Sequence, residues 1–160
     1  MLYIFIVLAI VITETLIKNH MDKNKDFKDR QEIFGGRIVI RKLYNRGMFL
    51  NFLEDKKEIV KTVSGVLLGL LLLLFAIMLP KKGNRLFKLG LAFLLGGAAS
   101  NVLDRMKRGY VVDYFSFNCK KLKNVVFNLS DLFIFLGAGL ITLSSLLVTK
   151  FDGCSDKTAE

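Results

Sequence analysis

Four apolar runs, Met1–Ile17, Val63–Leu79, Leu86–Leu103 and Val125–Val148, limit what this chain can fold into. A helix needs about 17–25 predominantly apolar residues to cross the hydrocarbon of a bilayer, and each run reaches or approaches that length. The chain is 52% hydrophobic and 24% charged, a balance that would suit a soluble globule if the two kinds were mixed. They are segregated, with the charges gathered between the apolar runs. Inside a bilayer the backbone must satisfy its own polar groups, which leaves helices or a closed barrel. The expected fold is therefore an all-α membrane protein with four transmembrane helices, and 160 residues suffice for a single domain over residues 1–160. The first run lacks a basic start and an A-x-A-like cleavage site, so it reads as a retained span and not a removed signal.

The segments between the runs are not uniform. Residues 19–57 make the longest loop, whose first third, NHMDKNKDFKDRQ, reads as loosely ordered. The following RIVIRKLYNRGMFLNF is rich in β-branched and aromatic residues, with turn signals at Gly35-Gly36 and Asn45-Arg46-Gly47. It predicts a small sheet outside the hydrocarbon, to which GYVVDYFSF can add a strand. Pro80 ends the second helix, and the short PKKGNR turn makes helices two and three an antiparallel pair. The small residues Gly90, Gly96, Gly97, Ala98, Ala99 and Ser100 allow close approach to helix three. The tail, KFDGCSDKTAE, reads as frayed. A net charge of +10 would suggest nucleic acid for a soluble protein. Here the basic residues flank the spans, so the expected partners are membrane lipids, anionic head groups included, and not nucleic acid.

Polar groups at the edge of the hydrocarbon need a reason. Asn101, Asp104 and Arg105 close helix three, Asp113 follows in the extended piece, and Asn128 and Asp131 open the fourth run. With four spans the first and third loops lie on one side, so these residues and Asn45 face one compartment. Asn101 and Asp104 share a face at i, i+3, as do Asn128 and Asp131, with Asp131 expected about six residues into its helix. In the first helix, Glu14 and Lys18 at i, i+4 are expected to pair as a solvated couple near the interface. Two carboxylates brought together in a low-dielectric site share a proton, so that one can act as base toward water while the other polarises a carbonyl. Spacing alone does not choose the pair among Asp104, Asp113 and Asp131. Arg105 is a natural ion-pair partner for Asp104, which marks that acid as a support and leaves Asp113 and Asp131 as the working pair.

Competing chemistries have thin support. Ser64 follows Lys61 by three residues, but no other polar group accompanies them as a Ser–Lys dyad would require. There is one histidine, His20, no HExxH, and no phosphate-loop spacing, so no metal site and no cofactor are implied. Cys119 and Cys154 read as free thiols.

GGAASNVLDR, GYVVDY and FNLSD, in this order and spacing, resemble the signature blocks of the lipoprotein signal peptidase (signal peptidase II) family, and the likeness extends to YNRG and the Glu14-to-Lys18 segment. The resemblance implies a four-helix membrane aspartic peptidase with a small β-cradle. Such an enzyme cleaves the signal peptide of prolipoproteins just before a diacylglyceryl-modified cysteine. It implies that Asp113 and Asp131 form the catalytic dyad, and that Asn45, Asn101, Asp104, Arg105 and Asn128 position substrate or brace it. It also implies a multi-pass protein of the bacterial cell (inner, cytoplasmic) membrane whose active site faces outward; separately, a monomer is expected. The chain departs from the family pattern at Met48 and Phe49, where small residues are usual, at Glu14 in place of Asp, and at Ser130 in place of alanine; the last two are not expected to touch the dyad. Counting Lys and Arg alone would instead place the active face in the cytoplasm, since the first loop holds ten and the third six. The alternative from another class is a non-catalytic membrane protein of the same fold that binds lipidated peptides or a partner.

Overall fold

The computed structural model describes residues 1–47, 55–120 and 122–155, with side chains up to residue 147. Its elements run α1 (Leu2–Asn24), β1 (Gln31–Ile33), β2 (Ile38–Asn45), α2 (Lys57–Met78), α3 (Arg85–Arg108), β3 (Val111–Phe117) and α4 (Leu129–Ser155). All four helices are long and apolar enough to cross a membrane. α2 makes the point most plainly: only Val60 and Phe75 are buried along it, and leucines such as Leu67, Leu70 and Leu73 are half exposed or more. In water such a surface would be an aggregation site; against lipid it is simply the outside.

α3 is the central helix and packs against α1, α2 and α4. Its contact with α4 is backbone to backbone. A Cβ added at Gly137 would lie 2.5 Å from the Gly90 carbonyl oxygen and 2.6 Å from the Leu94 nitrogen, while one at Gly97 would lie 2.4 Å from the Ser130 carbonyl oxygen. No larger residue fits at those crossings, so the small stripe anticipated in helix three is what holds α4 close. Gly109 then stops α3 in the left-handed conformation, φ 77°, with its N–H on the Arg105 carbonyl, a common helix ending that glycine makes without strain.

The three strands form an antiparallel sheet in the order β1-β2-β3. Gly35 and Gly36, both at positive φ, turn β1 into β2. The register slips by one between Ile40↔Phe115 and Leu43↔Asp113, so that Arg41 and Lys42 stand opposite the single residue Tyr114. This bulge changes which face β2 presents. Leu43 and Asn45 thereby join Val111 and Asp113 on one face, which lines the groove described below.

Several element ends differ from those read in the sequence. α1 continues to Asn24, so the loose segment expected from Asn19 is helical at its start. The cause is burial: Lys18 is fully enclosed and Met21 belongs to a buried cluster with Val112, Tyr114, Phe115 and Phe127. α2 begins at Lys57 and α3 runs on to Arg108. α4 starts at Leu129, not Val125, because Phe127 instead pairs with Phe115 and covers the free edge of β3. The tail is helical through Ser155, where fraying was expected from Lys150. Cys119 is free and exposed; the Cys154 side chain, like Met48 and Phe49, falls outside the described residues.

The helix crossing yields a paired prediction. Gly137→Ala should lower thermal stability in detergent by about 1–3 kcal/mol, as overpacking does. Gly139→Ala, where the added Cβ meets nothing within 4 Å, should not. Equal unfolding midpoints for the two variants would contradict the backbone-contact account.

Candidate active site

Asp113 sits mid-strand in β3, 2% exposed, with its side chain on the face set by the bulge. Its Oδ2 accepts from Asn45 Nδ2 at 3.2 Å and its Oδ1 from Asn128 Nδ2 at 2.6 Å. Asn45 is itself held by its own turn, its Oδ1 accepting from Gly47 N–H at 3.1 Å.

Asp131 lies in the first turn of α4, nearer the helix end than the expected six residues. The first N–H groups of a helix lack intrahelical partners, and an Asn followed three residues later by an acid can satisfy them reciprocally. Asn128 Oδ1 accepts from Asp131 N–H at 3.0 Å, and Asp131 Oδ2 accepts from Asn128 N–H at 3.1 Å. Asp131 Oδ1 accepts from Asn101 Nδ2 at 3.0 Å. Asn128, fully buried, therefore holds both carboxylates: its side-chain amide donates to Asp113 while its backbone N–H donates to Asp131.

Both acids line one groove of about 540 Å³. Leu67, Leu68 and Leu71 of α2 and Ile134 and Phe135 of α4 form its walls, with Leu94 and Ala98 of α3 between them. Asn45, Asn101 and Arg105 stand with the acids at its polar end. Each carboxylate thus receives two hydrogen-bond donors beside an apolar channel. Ser64 lines the apolar wall, whereas Lys61 lines a separate recess, so the two do not share a pocket. Burial pushes the Asp113 carboxyl up to about 7; the charge of Asp131 adds to the rise, and the bonds from Asn128 and Asn45 oppose it.

Behind the groove lies a cluster that the sequence reading misjudged. Glu14 and Lys18 do pair, at 3.3 Å, but both are 0% exposed and not solvated. Lys18 Nζ also reaches Asp104 at 3.3 Å, Ser100 at 3.1 Å, Asn101 Oδ1 at 2.8 Å and Ser130 at 3.4 Å. Asp104 is paired, but with Lys18 and Arg108 and not with the expected Arg105. Arg105 follows Asp104 directly and so points elsewhere around the helix, where it donates to the carbonyls of Gly47 and Asn101. Among the described residues, the side chains of Glu14 and Ser130 form no hydrogen bond with either acid of the groove. They nevertheless bind Lys18, which through Asn101 is one side chain from Asp131. Lys18, Ser130 and Tyr114 went unselected in the sequence; the one available signal was the i, i+4 pair of ionisable residues within an apolar helix.

A family model described as signal peptidase (SPase) II matches residues 3–147. A lipoprotein signal peptidase of Caldicellulosiruptor bescii is 31% identical over 154 residues, spanning 96% of this chain and 94% of its own length. One from Brucella ovis is 32% identical over 148 residues, 90% and 89% of the two chains. A bacterial membrane enzyme solved by the in meso method at 2.3 Å resolution shares the fold with a TM-score of 0.80 at 23% identity, covering 92% of this chain and 88% of that one.

The raised Asp113 carboxyl predicts a pH signature. In the unfolded chain an aspartate titrates near 3.9. Between there and about 7 the folded protein keeps a proton that the unfolded chain has lost, so stability falls as pH rises through that window. Asp113→Asn removes this loss. Its unfolding midpoint, relative to the unsubstituted protein, should rise steadily from about pH 4 to about pH 7; a constant difference would contradict the shift.

Proposed function

The chain belongs to the signal peptidase II family, and we propose that within it this protein is an aspartic endopeptidase whose Asp113 and Asp131 work as one proton-sharing unit. Family membership makes it a multi-pass membrane peptidase that removes signal peptides from prolipoproteins. The observation that carries the aspartic reading is Asn128, which bonds to both carboxylates at the polar end of an apolar groove.

In the proposed reaction Asp113 begins protonated and Asp131 ionised. Asp131 takes a proton from water as the oxygen attacks the scissile carbonyl carbon, and Asp113 gives its proton to the carbonyl oxygen. The resulting gem-diol collapses: the proton on Asp131 passes to the departing nitrogen, the C–N bond breaks, and a hydroxyl proton returns to Asp113. Asn45, Asn101 and Asn128 keep the lone pairs of the two acids aimed at the groove. Asp104 braces the end of α3, and Arg105, at the groove's polar end, offers donors to substrate carbonyl or ester oxygens.

The apolar walls between α2 and α4 suit the hydrocarbon of a signal peptide and the acyl chains of a diacylglyceryl group, and this supports cleavage immediately before the lipidated cysteine. The proposed enzyme acts as a monomer, a single domain over residues 1–160. We place the groove at the outer face of the cell membrane, where prolipoprotein substrates emerge. The recess lined by Arg46, Lys57, Glu58, Lys61 and Arg105 then lies at that face, and its excess of cations suits anionic head groups.

The test is cleavage of a diacylglyceryl-modified prolipoprotein by the purified chain, with the new N-terminus read by mass spectrometry. The expected product begins at the modified cysteine, and Asp113→Asn or Asp131→Asn should each abolish cleavage, by at least about 10³-fold, without unfolding the protein. Substantial activity in either folded variant would sink the mechanism.

A further inference from the structure

The structure assigns Tyr114 as a positioning residue for this reaction: its hydroxyl, held between Glu14 of α1 and the first N–H of α4, sets Asp131 against Asp113. The inference rests on the peptidase reading above and adds a second anchor to the one that Asn128 provides.

Successive residues of a strand point to opposite faces. Asp113 faces the groove, so Tyr114 turns the other way, into the core beside Met21 and Phe127, where it is 6% exposed. Its hydroxyl donates to Glu14 Oε1 at 2.6 Å and accepts from Leu129 N–H at 3.1 Å. Leu129 opens α4, so that N–H has no partner within the helix. The bond links the residue after Asp113 to the residue two before Asp131. Asn128 ties the same two strands of chain from the groove side. The first turn of α4 is therefore gripped on both faces, by an amide in front and a phenol behind.

Glu14 makes the rear grip rigid. Its Oε2 accepts from Ser130 Oγ at 2.9 Å and pairs with Lys18, while its Oε1 takes the tyrosine proton. Tyr114 and Ser130, on β3 and α4, are thus fastened to one buried carboxylate of α1. Phenylalanine at 114 would keep the ring packing yet leave Leu129 N–H and Glu14 Oε1 each short of a partner. The groove that contacts substrate would be untouched, so the change should appear in the chemical step and not in binding.

The experiment compares purified full-length chains in detergent, cleaving a synthetic diacylglyceryl-modified prolipoprotein peptide well below each unfolding midpoint. Tyr114→Phe should lower kcat about tenfold, equivalent to about 1.4 kcal/mol, with KM changed less than about twofold. Glu14→Asp, which keeps the charge beside Lys18 but withdraws the carboxylate from the phenol, should lower kcat in the same way. In the double variant the two losses should not multiply. An unchanged kcat in folded Tyr114→Phe overturns the inference, as do multiplying losses. If Tyr114→Phe fails to fold, an unchanged kcat in Glu14→Asp overturns it and a loss of kcat at constant KM supports it. A wild-type chain that does not cleave would remove the peptidase reading and this inference with it. Cleavage by wild type at the same rate as Tyr114→Phe would remove this inference alone.

Discussion

A lysine ammonium with no exposure to solvent sits between α1, α3 and α4, and the rest of the molecule is arranged so that it is tolerable. An ion removed from water is strongly unfavourable unless it is paired and its protons are all directed at acceptors. Lys18 meets both conditions through Glu14, Asp104, Ser100, Asn101 and Ser130. Those partners come from three helices, so satisfying one charge fixes how the helices meet. Arg108 extends the cluster outward from Asp104 to Asp22, whose other oxygen accepts from Tyr44 of β2 at 2.5 Å. The sheet is thereby tied to the helices that carry the site.

The consequence for the groove is orientation. Asn101 can present its Nδ2 to Asp131 because its Oδ1 is occupied by Lys18. Asn128 has every polar atom of its amide committed, one end to Asp113 and the other to the N–H of Asp131. Two acids are thus positioned by amides whose flips are blocked, which is the preorganisation that proton transfer between carboxylates and a substrate requires. The arrangement carries a penalty, since Asp113 is buried beside a second acid and holds its proton far above the usual carboxylate range. A site that would be more stable without its acid is the usual mark of a working one.

Much of this was legible in the residues. The four spans follow from apolar run length, and Gly90 and Gly97 announced a close approach to helix three because small residues in an apolar helix have few other uses. Asp113 and Asp131 were picked both locally and by the family blocks, and the structure brings the two acids to one groove. What did not show was depth and partnership. Nothing in one sequence says that Lys18 would be enclosed, because enclosure depends on which helix covers it. Arg105 was assigned to Asp104 by adjacency, yet neighbours on a helix point about 100° apart, and Arg108 at i+4 was the better partner. The bulge at Arg41 and Lys42 was equally hidden, since Ile38, Ile40, Leu43 and Asn45 share a face only once the register has slipped.

The most direct test of the account is the ionisation of Asp113 itself. Carboxyl ¹³C NMR of the labelled protein in detergent, assigned through Asp113→Asn, should show one aspartate titrating with a midpoint near 7. In Asp131→Asn that midpoint should move down, because a neighbouring negative charge has been removed. A midpoint near the ordinary value of about 4, or one that ignores Asp131→Asn, would mean that the two acids do not share an electrostatic environment, and the proposed dyad would fall.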